Sequence, residues 1–252
     1  MTLDISGIEQ YCKKFLIPKK HFLDIISDLK VLPMIRGKGF EYFVSEKLEN
    51  QLDPKIWEVT KYNTNPQRNS TDADLVVKHL PSSVEVILEC KTAVRGSFKL
   101  KGKICKNPHF RVKCHKSRSN TERSYTNDRY FADEFNIIIS SPANAFIGKG
   151  DFSLIDSPTT LNYISNKYGD TSWDRVIPRT THDIRAVLTT SIAEGDNTVP
   201  RSPIVEMEND PNWVTFDKIE QLLMIVVTRN LAQRTRKPTI SSHLSVAKSS
   251  DE

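Results

Sequence analysis

Two short apolar runs lie close together in the first half of the chain. Leu75 to Val77 is a short apolar run, and a second run extends from Val84 to Leu88. Residues His79 to Ser83, with Pro81 among them, have the composition of a turn. The pattern therefore predicts two strands joined by a short bend.

Helical spacing of apolar residues dominates the first fifty positions. It predicts helices over Leu3 to Phe15 and Lys19 to Leu32, separated by Pro18. The glycines Gly37 and Gly39 are expected to form a flexible lead into a third, amphipathic helix. Its apolar face would consist of Phe40, Phe43, Val44 and Leu48.

Further elements are predicted on both sides of the hairpin. A strand over Ile56 to Tyr62 should lead into a polar loop, and a buried strand should end the stretch from Arg129 to Ser141. Thr181 to Ala193 and Phe216 to Arg236 have the pattern of helices. The order is thus a helix, a strand, a loop and then the hairpin.

Composition and charge narrow the class of protein. The chain has 252 residues, with 38% hydrophobic and 27% charged residues, which is typical of a soluble globular protein. The formal net charge of +5 is mild, so the distribution of charge matters more than its total. We expect no membrane partner, no secretion and, with four cysteines, a reducing cytoplasm.

Acidic residues flank both strands of the hairpin. Asp72 and Asp74 precede the first strand, Glu89 follows the second, and Lys91 comes two residues later. Alternation along a strand puts Glu89 and Lys91 on one face, and pairing of the strands can bring Asp74 beside Glu89. Two such carboxylates suit Mg²⁺. A lysine beside them can position or deprotonate a water and offset charge on a phosphate.

This arrangement resembles the PD-(D/E)xK nuclease superfamily, whose core has an acid, a hairpin and a Glu/Asp-x-Lys triplet. Here those positions are Asp74 and Glu89-Cys90-Lys91, and Ala73 replaces the family's proline. That departure leaves the choice between Asp72 and Asp74 open. Asp74 is preferred because it directly precedes the apolar run. Solvated residues at strand ends are the structural alternative.

The resemblance implies a fold and a domain organisation. The fold would be α/β, with a restriction-endonuclease-like mixed central sheet flanked by helices. We expect a single endonuclease domain over residues 1–252, with its catalytic core at about 35–142 and helical additions at about 143–236. Residues 237–252, rich in serine and charge, would form a mobile tail.

The resemblance also implies roles for individual residues. Asp74 and Glu89 would hold Mg²⁺ with the backbone carbonyl of Cys90, and Lys91 would orient the attacking water. In the resembling nucleases a helix before the hairpin often carries an inward Glu near its start, and Glu41 matches that place. Glu41 would bind a second metal or orient a metal-bound water; stabilisation by the helix dipole is the alternative.

The implied activity is hydrolysis of double-stranded DNA to products with 5′-phosphates, as in a type II restriction endonuclease, which usually acts as a homodimer. An arginine–aromatic pair at Arg129-Tyr130, followed by acids and a strand, is similar to a stretch in several restriction enzymes. Two alternatives remain open. One is a repair or junction-resolving nuclease of the same superfamily, and the other is a non-catalytic DNA-binding protein with this fold.

Basic residues crowd the segment from Arg95 to Arg129, where Glu122 and Asp128 are the only acids. Basic side chains neutralise phosphates, and arginine can also read base edges. The segment is therefore the predicted DNA-contacting surface, with a solvated loop as the alternative. The candidate DNA-binding residues are Arg95, Lys99, Lys101, Lys103, Arg111, Lys113, Lys116, Arg118 and Arg123.

The same segment contains four possible zinc ligands, Cys105, His109, Cys114 and His115. Their spacing matches no common finger or ribbon, and adjacent residues rarely serve one ion together. Whether they bind zinc is left open by the sequence.

Overall fold

The computed structural model describes residues 5–61, 73–116, 128–149 and 152–236. The α-helices are α1 (Ile5–Lys14), α2 (Phe22–Ser27), α3 (Leu32–Gln51), α4 (Pro158–Tyr168), α5 (Trp173–His182), α6 (Thr189–Ile192) and α7 (Ile219–Arg236). The strands are β1 (Trp57–Lys61), β2 (Leu75–His79), β3 (Val84–Cys90), β4 (His109–Arg111), β5 (Ile137–Ser140), β6 (Arg185–Leu188), β7 (Ile204–Glu206) and β8 (Val214–Thr215). Short 3-10 helices cover Lys19–His21, Ala143–Phe146 and Phe216–Lys218.

A six-stranded mixed sheet is the centre of the molecule, in the order β1-β2-β3-β5-β6-β8. The first three strands form an antiparallel meander, and β5 then pairs with β3 in parallel. β6 and β8 extend the sheet by antiparallel pairing, while β4 and β7 form a separate two-stranded sheet. The protein is therefore mixed α/β, with a mixed central sheet flanked by helices, as expected.

Alternating residues of the central strands enter two different hydrophobic cores. One face of the sheet packs against α3 and α7, with Leu75, Leu88 and Ile139 among the buried residues. The opposite face includes Ile138 and packs with residues of β4, β7, α4 and α5. Because both faces are covered, the central strands are almost wholly apolar, as is usual for strands buried on two sides.

The parallel pair β3 and β5 determines which residues share one edge of the sheet. Glu89 is in register with Ile138, and the Lys91 N–H donates to the Ile139 carbonyl at 2.8 Å. Parallel strands end at the same edge, so the residues that follow β3 and β5 lie close together there. Glu89 and Lys91 lie at this edge.

The third helix begins earlier than the sequence indicated. Gly37 and Gly39 lie inside α3, so the expectation of a flexible glycine lead is wrong. Pro33 stands in the first turn of the helix, where its fixed φ is favourable and its missing N–H costs little. The expected apolar face is present, with Phe40, Val44 and Leu48 buried in the first core.

The predicted helix over Lys19 to Leu32 is also wrong. A 3-10 turn and the short α2 replace it, and α2 ends at Ser27. The Asp28 side chain accepts the Lys30 N–H at 2.7 Å. Such an Asx turn competes with helical hydrogen bonding and explains the break.

Beyond residue 142 the chain is not only helical. Arg185–Leu188, predicted as part of a helix over 181–193, forms the buried strand β6, and β8 joins the same sheet. The central sheet therefore extends past the expected core of 35–142. The predicted mobile tail at 237–252 lies outside the described residues, as does Tyr62 at the end of the predicted first strand. None of the described helices has the length and apolarity needed to cross a bilayer.

Candidate active site

The Asp74 carboxylate lies at the end of β3. Leu75 of β2 pairs with Leu88 of β3, and continuing this register places Asp74 across from Glu89. Asp74 Oδ2 accepts a hydrogen bond from the Cys90 N–H at 2.8 Å. The structure thus brings Asp74 to the Glu89-Cys90-Lys91 triplet, as the sequence predicted. Asp72 lies outside the described residues.

Glu89 and Lys91 point to the same side of the strand and form an ion pair between Lys91 Nζ and Glu89 Oε1. Glu89 is only 3% exposed, so its charge depends on this lysine. Cys90 between them is buried in the first core. The facing predicted from alternation is confirmed for all three residues.

Lys91 is held in its cationic form. Burial lowers its pKa, but Glu89 and a hydrogen bond to Tyr130 outweigh burial, so the pKa lies above its ordinary value. Lys91 Nζ also lies 4.9 Å from the centroid of the Tyr130 ring. In this state Lys91 can donate hydrogen bonds and offset negative charge, whereas it cannot accept a proton from water.

Tyr130 is a site residue that sequence reasoning did not assign. It stands shortly before β5, and burial raises its pKa to about 12, so its hydroxyl stays protonated at neutral pH. Lys116 Nζ lies 5.4 Å from the centroid of the same ring and pairs with Glu134 at 2.6 Å. The arginine–aromatic pair was the one available signal, and it did not specify contact with Lys91.

Glu41 projects from the middle of α3 and is buried. Its Oε2 accepts hydrogen bonds from Lys38 Nζ at 2.8 Å and from Lys61 Nζ at 2.7 Å. Because α3 begins at Leu32, Glu41 is not in the first turn, and the helix dipole does not account for it. Glu41 is close enough to Asp74 to raise the pKa of that carboxyl.

The ionised form of the Asp74 carboxylate is disfavoured in this site. Burial raises the pKa of Asp74, and repulsion from Glu41 raises it further. The Cys90 N–H, Lys91 and Lys38 act in the opposite direction without cancelling the effect. A cation beside Asp74 would favour its ionised form.

The oxygen donors at this edge fit Mg²⁺ in number and kind. Asp74 and Glu89 offer carboxylate oxygens and Cys90 a carbonyl, and Mg²⁺ commonly keeps several of its waters. Among the described residues no group of three or more His, Cys, Asp or Glu side chains is arranged to hold a metal. Glu41, engaged by two lysines, is therefore not placed as a third ligand beside Asp74 and Glu89.

The basic candidates are distributed over several surfaces. Arg95 and Lys113 line one pocket next to the triplet. Lys99, Lys101, Lys103 and Arg111 are exposed, and Lys116 is paired with Glu134. Arg118 and Arg123 lie outside the described residues.

The four possible zinc ligands are not gathered around a common centre. His109 Nδ1 lies 2.7 Å from the Asn107 carbonyl, and Cys105 contacts the same carbonyl. Cys114 is buried in the second core, and His115 lies against the Lys116 carbonyl.

Comparison of the chain with protein-family models, with curated proteins and with solved structures found no match. Function is therefore inferred from the carboxylates, the lysine and their surroundings.

Proposed function

We propose that the protein is a Mg²⁺-dependent endonuclease that hydrolyses phosphodiester bonds of double-stranded DNA and leaves 5′-phosphates. Among such endonucleases, we propose a type II restriction enzyme that acts as a homodimer. The observation that carries the proposal is the hydrogen bond from the Cys90 N–H to Asp74. It places two carboxylates and one cationic lysine at the end of a single strand.

The order of elements supports the same proposal. α3 is followed by the antiparallel meander β1-β2-β3, and β5 adds to β3 in parallel. A helix, a strand and then a hairpin bearing the acid and the triplet is the order expected for a PD-(D/E)xK nuclease core. A restriction-endonuclease-like fold accounts for this topology.

Each side chain then has a defined task. Asp74 and Glu89, with the Cys90 carbonyl, would hold Mg²⁺. When bound, Mg²⁺ would stabilise charge on the phosphate and make a water more acidic. Lys91 offsets negative charge on the phosphate and orients the attacking water, because it is protonated. Tyr130 restricts the ammonium group of Lys91 by a hydrogen bond and by its ring.

DNA cleavage tests the proposal directly. The purified protein is incubated with several unmethylated phage DNAs, with Mg²⁺ or with EDTA, and the products are separated on a gel. We expect discrete Mg²⁺-dependent bands with 5′-phosphate ends. A smear would favour a nuclease without sequence choice, and DNA that stays intact while bound would favour a non-catalytic DNA-binding protein.

Single substitutions connect the activity to the site. Asp74→Ala and Glu89→Ala should abolish cleavage while DNA binding persists, since removal of a carboxylate reduces repulsion of phosphate. Glu85→Ala is the matched control, because Glu85 lies on the same face of β3 near its other end and is exposed. Equal loss of cleavage in Glu85→Ala would show that the effect comes from the strand and not from the site.

A further inference from the structure

A cavity of about 470 Å³ lies at the edge of the sheet where β3 and β5 end. Thr92 to Arg95 line it directly after the triplet, and Asn144 lines it shortly after β5. Arg95 follows Lys91 by four residues, so their Cα atoms are at most about 14 Å apart. The cavity is therefore a neighbour of the candidate active site.

The charged side chains that line this cavity, among the described residues, are all cationic: Arg36, Arg95, Lys113 and Lys149. None of the ion pairs between described residues involves any of the four. Burial, and then the charge of Arg95, lower the pKa of Arg36. Like charges are thus held together here without an acid from the described chain to balance them.

Local geometry keeps these cations in place. The Arg95 guanidinium lies 4.2 Å from the centroid of the Phe152 ring, which fixes the side chain by a cation–π contact. Gly96 has φ of +63°, and a Cβ there would lie 3.3 Å from Lys149 Cγ. Glycine at this position allows the chain after the triplet to turn closely against Lys149.

We propose that this cavity binds a phosphate group of the nucleic acid backbone that neighbours the phosphate being cleaved. Arginine side chains suit a phosphate because their N–H groups match its oxygens, and the lysines add charge. That the phosphate belongs to nucleic acid rests on the proposed function. The anion-binding property itself depends only on the four cations.

The first test uses inorganic phosphate and protein alone. Thermal unfolding is followed in phosphate and in chloride at equal ionic strength. We expect phosphate to raise the Tm of the unaltered protein, because a ligand that binds the native state stabilises it. The rise should be lost in Arg36→Gln and in Lys113→Gln, and kept in Lys55→Gln, whose exposed lysine precedes β1 at the opposite edge of the sheet.

The second test uses a defined DNA duplex in EDTA, so that cleavage plays no part. The logarithm of the binding constant is plotted against the logarithm of the salt concentration. Loss of one phosphate contact should reduce the slope by about 0.9. We expect this change for Lys113→Gln and Arg36→Gln, and an unchanged slope for Lys55→Gln.

The outcomes separate this proposal from the nuclease proposal. If both tests succeed and no DNA is ever cut, the cavity is a nucleic acid phosphate site in a protein that is not a nuclease. Phosphate could stabilise the protein while the salt dependence of DNA binding has the same slope in the variants and in the unaltered protein. In that case the cavity binds free phosphate, and the proposal that the phosphate belongs to nucleic acid is wrong. If neither test distinguishes the variants from Lys55→Gln, the phosphate site is overturned.

Discussion

Two neighbouring regions at one edge of the sheet differ in whether their charged side chains form ion pairs. In the carboxylate region, Glu89 is paired with Lys91, and Glu41 with Lys38 and Lys61. In the cationic cavity, Arg36, Arg95, Lys113 and Lys149 line a common space without an ion pair to another described residue. Cations stabilise the fold in the first region, whereas in the second they repel one another.

The lysines of the carboxylate region neutralise charges that the folded chain itself buries. The cations of the cavity would be neutralised only by a bound anion. A buried carboxylate such as Glu89 needs its lysine even when no substrate is present. Arg95 contacts the Phe152 ring, but none of the four cations of the cavity has an ion pair with a described residue, so their placement favours binding of an anion. Removal of the lysine that pairs with Glu89 should therefore lower the stability of the fold, whereas removal of a cation from the cavity should raise it.

The largest effect is expected for Lys91→Met. Loss of the cation should slow cleavage by about 100- to 1,000-fold. Because Glu89 would remain buried without its partner, the free energy of unfolding should fall by about 3–5 kcal/mol. Cleavage rates and urea unfolding measure the two effects. Lys38→Met is the control, since Glu41 keeps Lys61; an unfolding curve unchanged in Lys91→Met would contradict the pairing.

Tyr130→Phe should have a smaller effect on activity. The ring remains, but the hydrogen bond to the Lys91 ammonium group is lost. A hydrogen bond to a charged group contributes about 1.5 kcal/mol, which corresponds to about a tenfold change in rate. We expect kcat to fall with KM unchanged, because the described contact of Tyr130 is with Lys91. A change in KM alone would point to DNA binding. Tyr11→Phe, on the exposed side of α1, provides the comparison.

Asp74→Asn should stabilise the fold at neutral pH while abolishing cleavage. Burial and Glu41 raise the pKa of Asp74 above its ordinary value of 3.8. The native state therefore binds this proton more readily than the unfolded state, and stability falls as pH rises from 3.8 through the raised pKa. The neutral asparagine avoids that loss and can still accept the Cys90 N–H.

The measurement is Tm against pH for Asp74→Asn and the unaltered protein. We expect Asp74→Asn to melt higher at pH 7, by about 2–4 °C for each kcal/mol gained. The gap should close as pH is lowered toward 3.8, where the unfolded carboxyl takes up its proton. A gap that is independent of pH would show that titration of Asp74 is not its cause.

The smallest effect is expected for Arg36→Gln, in the cationic cavity. Removing one of four like charges should raise the free energy of unfolding by up to about 0.5 kcal/mol at low salt. The gain should vanish at 1 M salt, where the Debye length is about 3 Å. Unfolding in urea at both salt concentrations checks this, with Lys55→Gln as the control. If Arg36→Gln lowered the free energy of unfolding, the cavity would not differ from the carboxylate region in its effect on stability.

Local patterns were sufficient to predict the hairpin and the positions of its charged residues. The apolar runs, the turn composition and the period of two place Asp74, Glu89 and Lys91 without knowledge of distant residues. Local patterns did not predict the boundaries of the helices and strands correctly. Gly37 and Gly39 do not interrupt α3, because packing of Phe40, Val44 and Leu48 against the sheet outweighs their low propensity.

The features that were missed are formed by distant segments. β6 is buried on both faces, so its short apolar run has no period that distinguishes it from a helix. Tyr130 reaches Lys91 only through the β3–β5 pairing. The residues that line the cationic cavity come from α3, the segment after β3, the segment after β4 and the segment after β5. No spacing along the sequence indicates such an assembly.

The parallel pairing of β3 with β5 has a consequence for the time course of folding. The β1-β2-β3 meander can form from neighbouring segments, whereas β5 joins only after the long crossover from Lys91 to Asn136 has closed. Pairings between segments far apart in sequence are slow to form. A newly synthesised chain would thus acquire its carboxylates early and its Tyr130 contact late. Until that closure, Lys91 of the nascent protein would lack its contact with Tyr130, and the cationic cavity would lack the residues that follow β5.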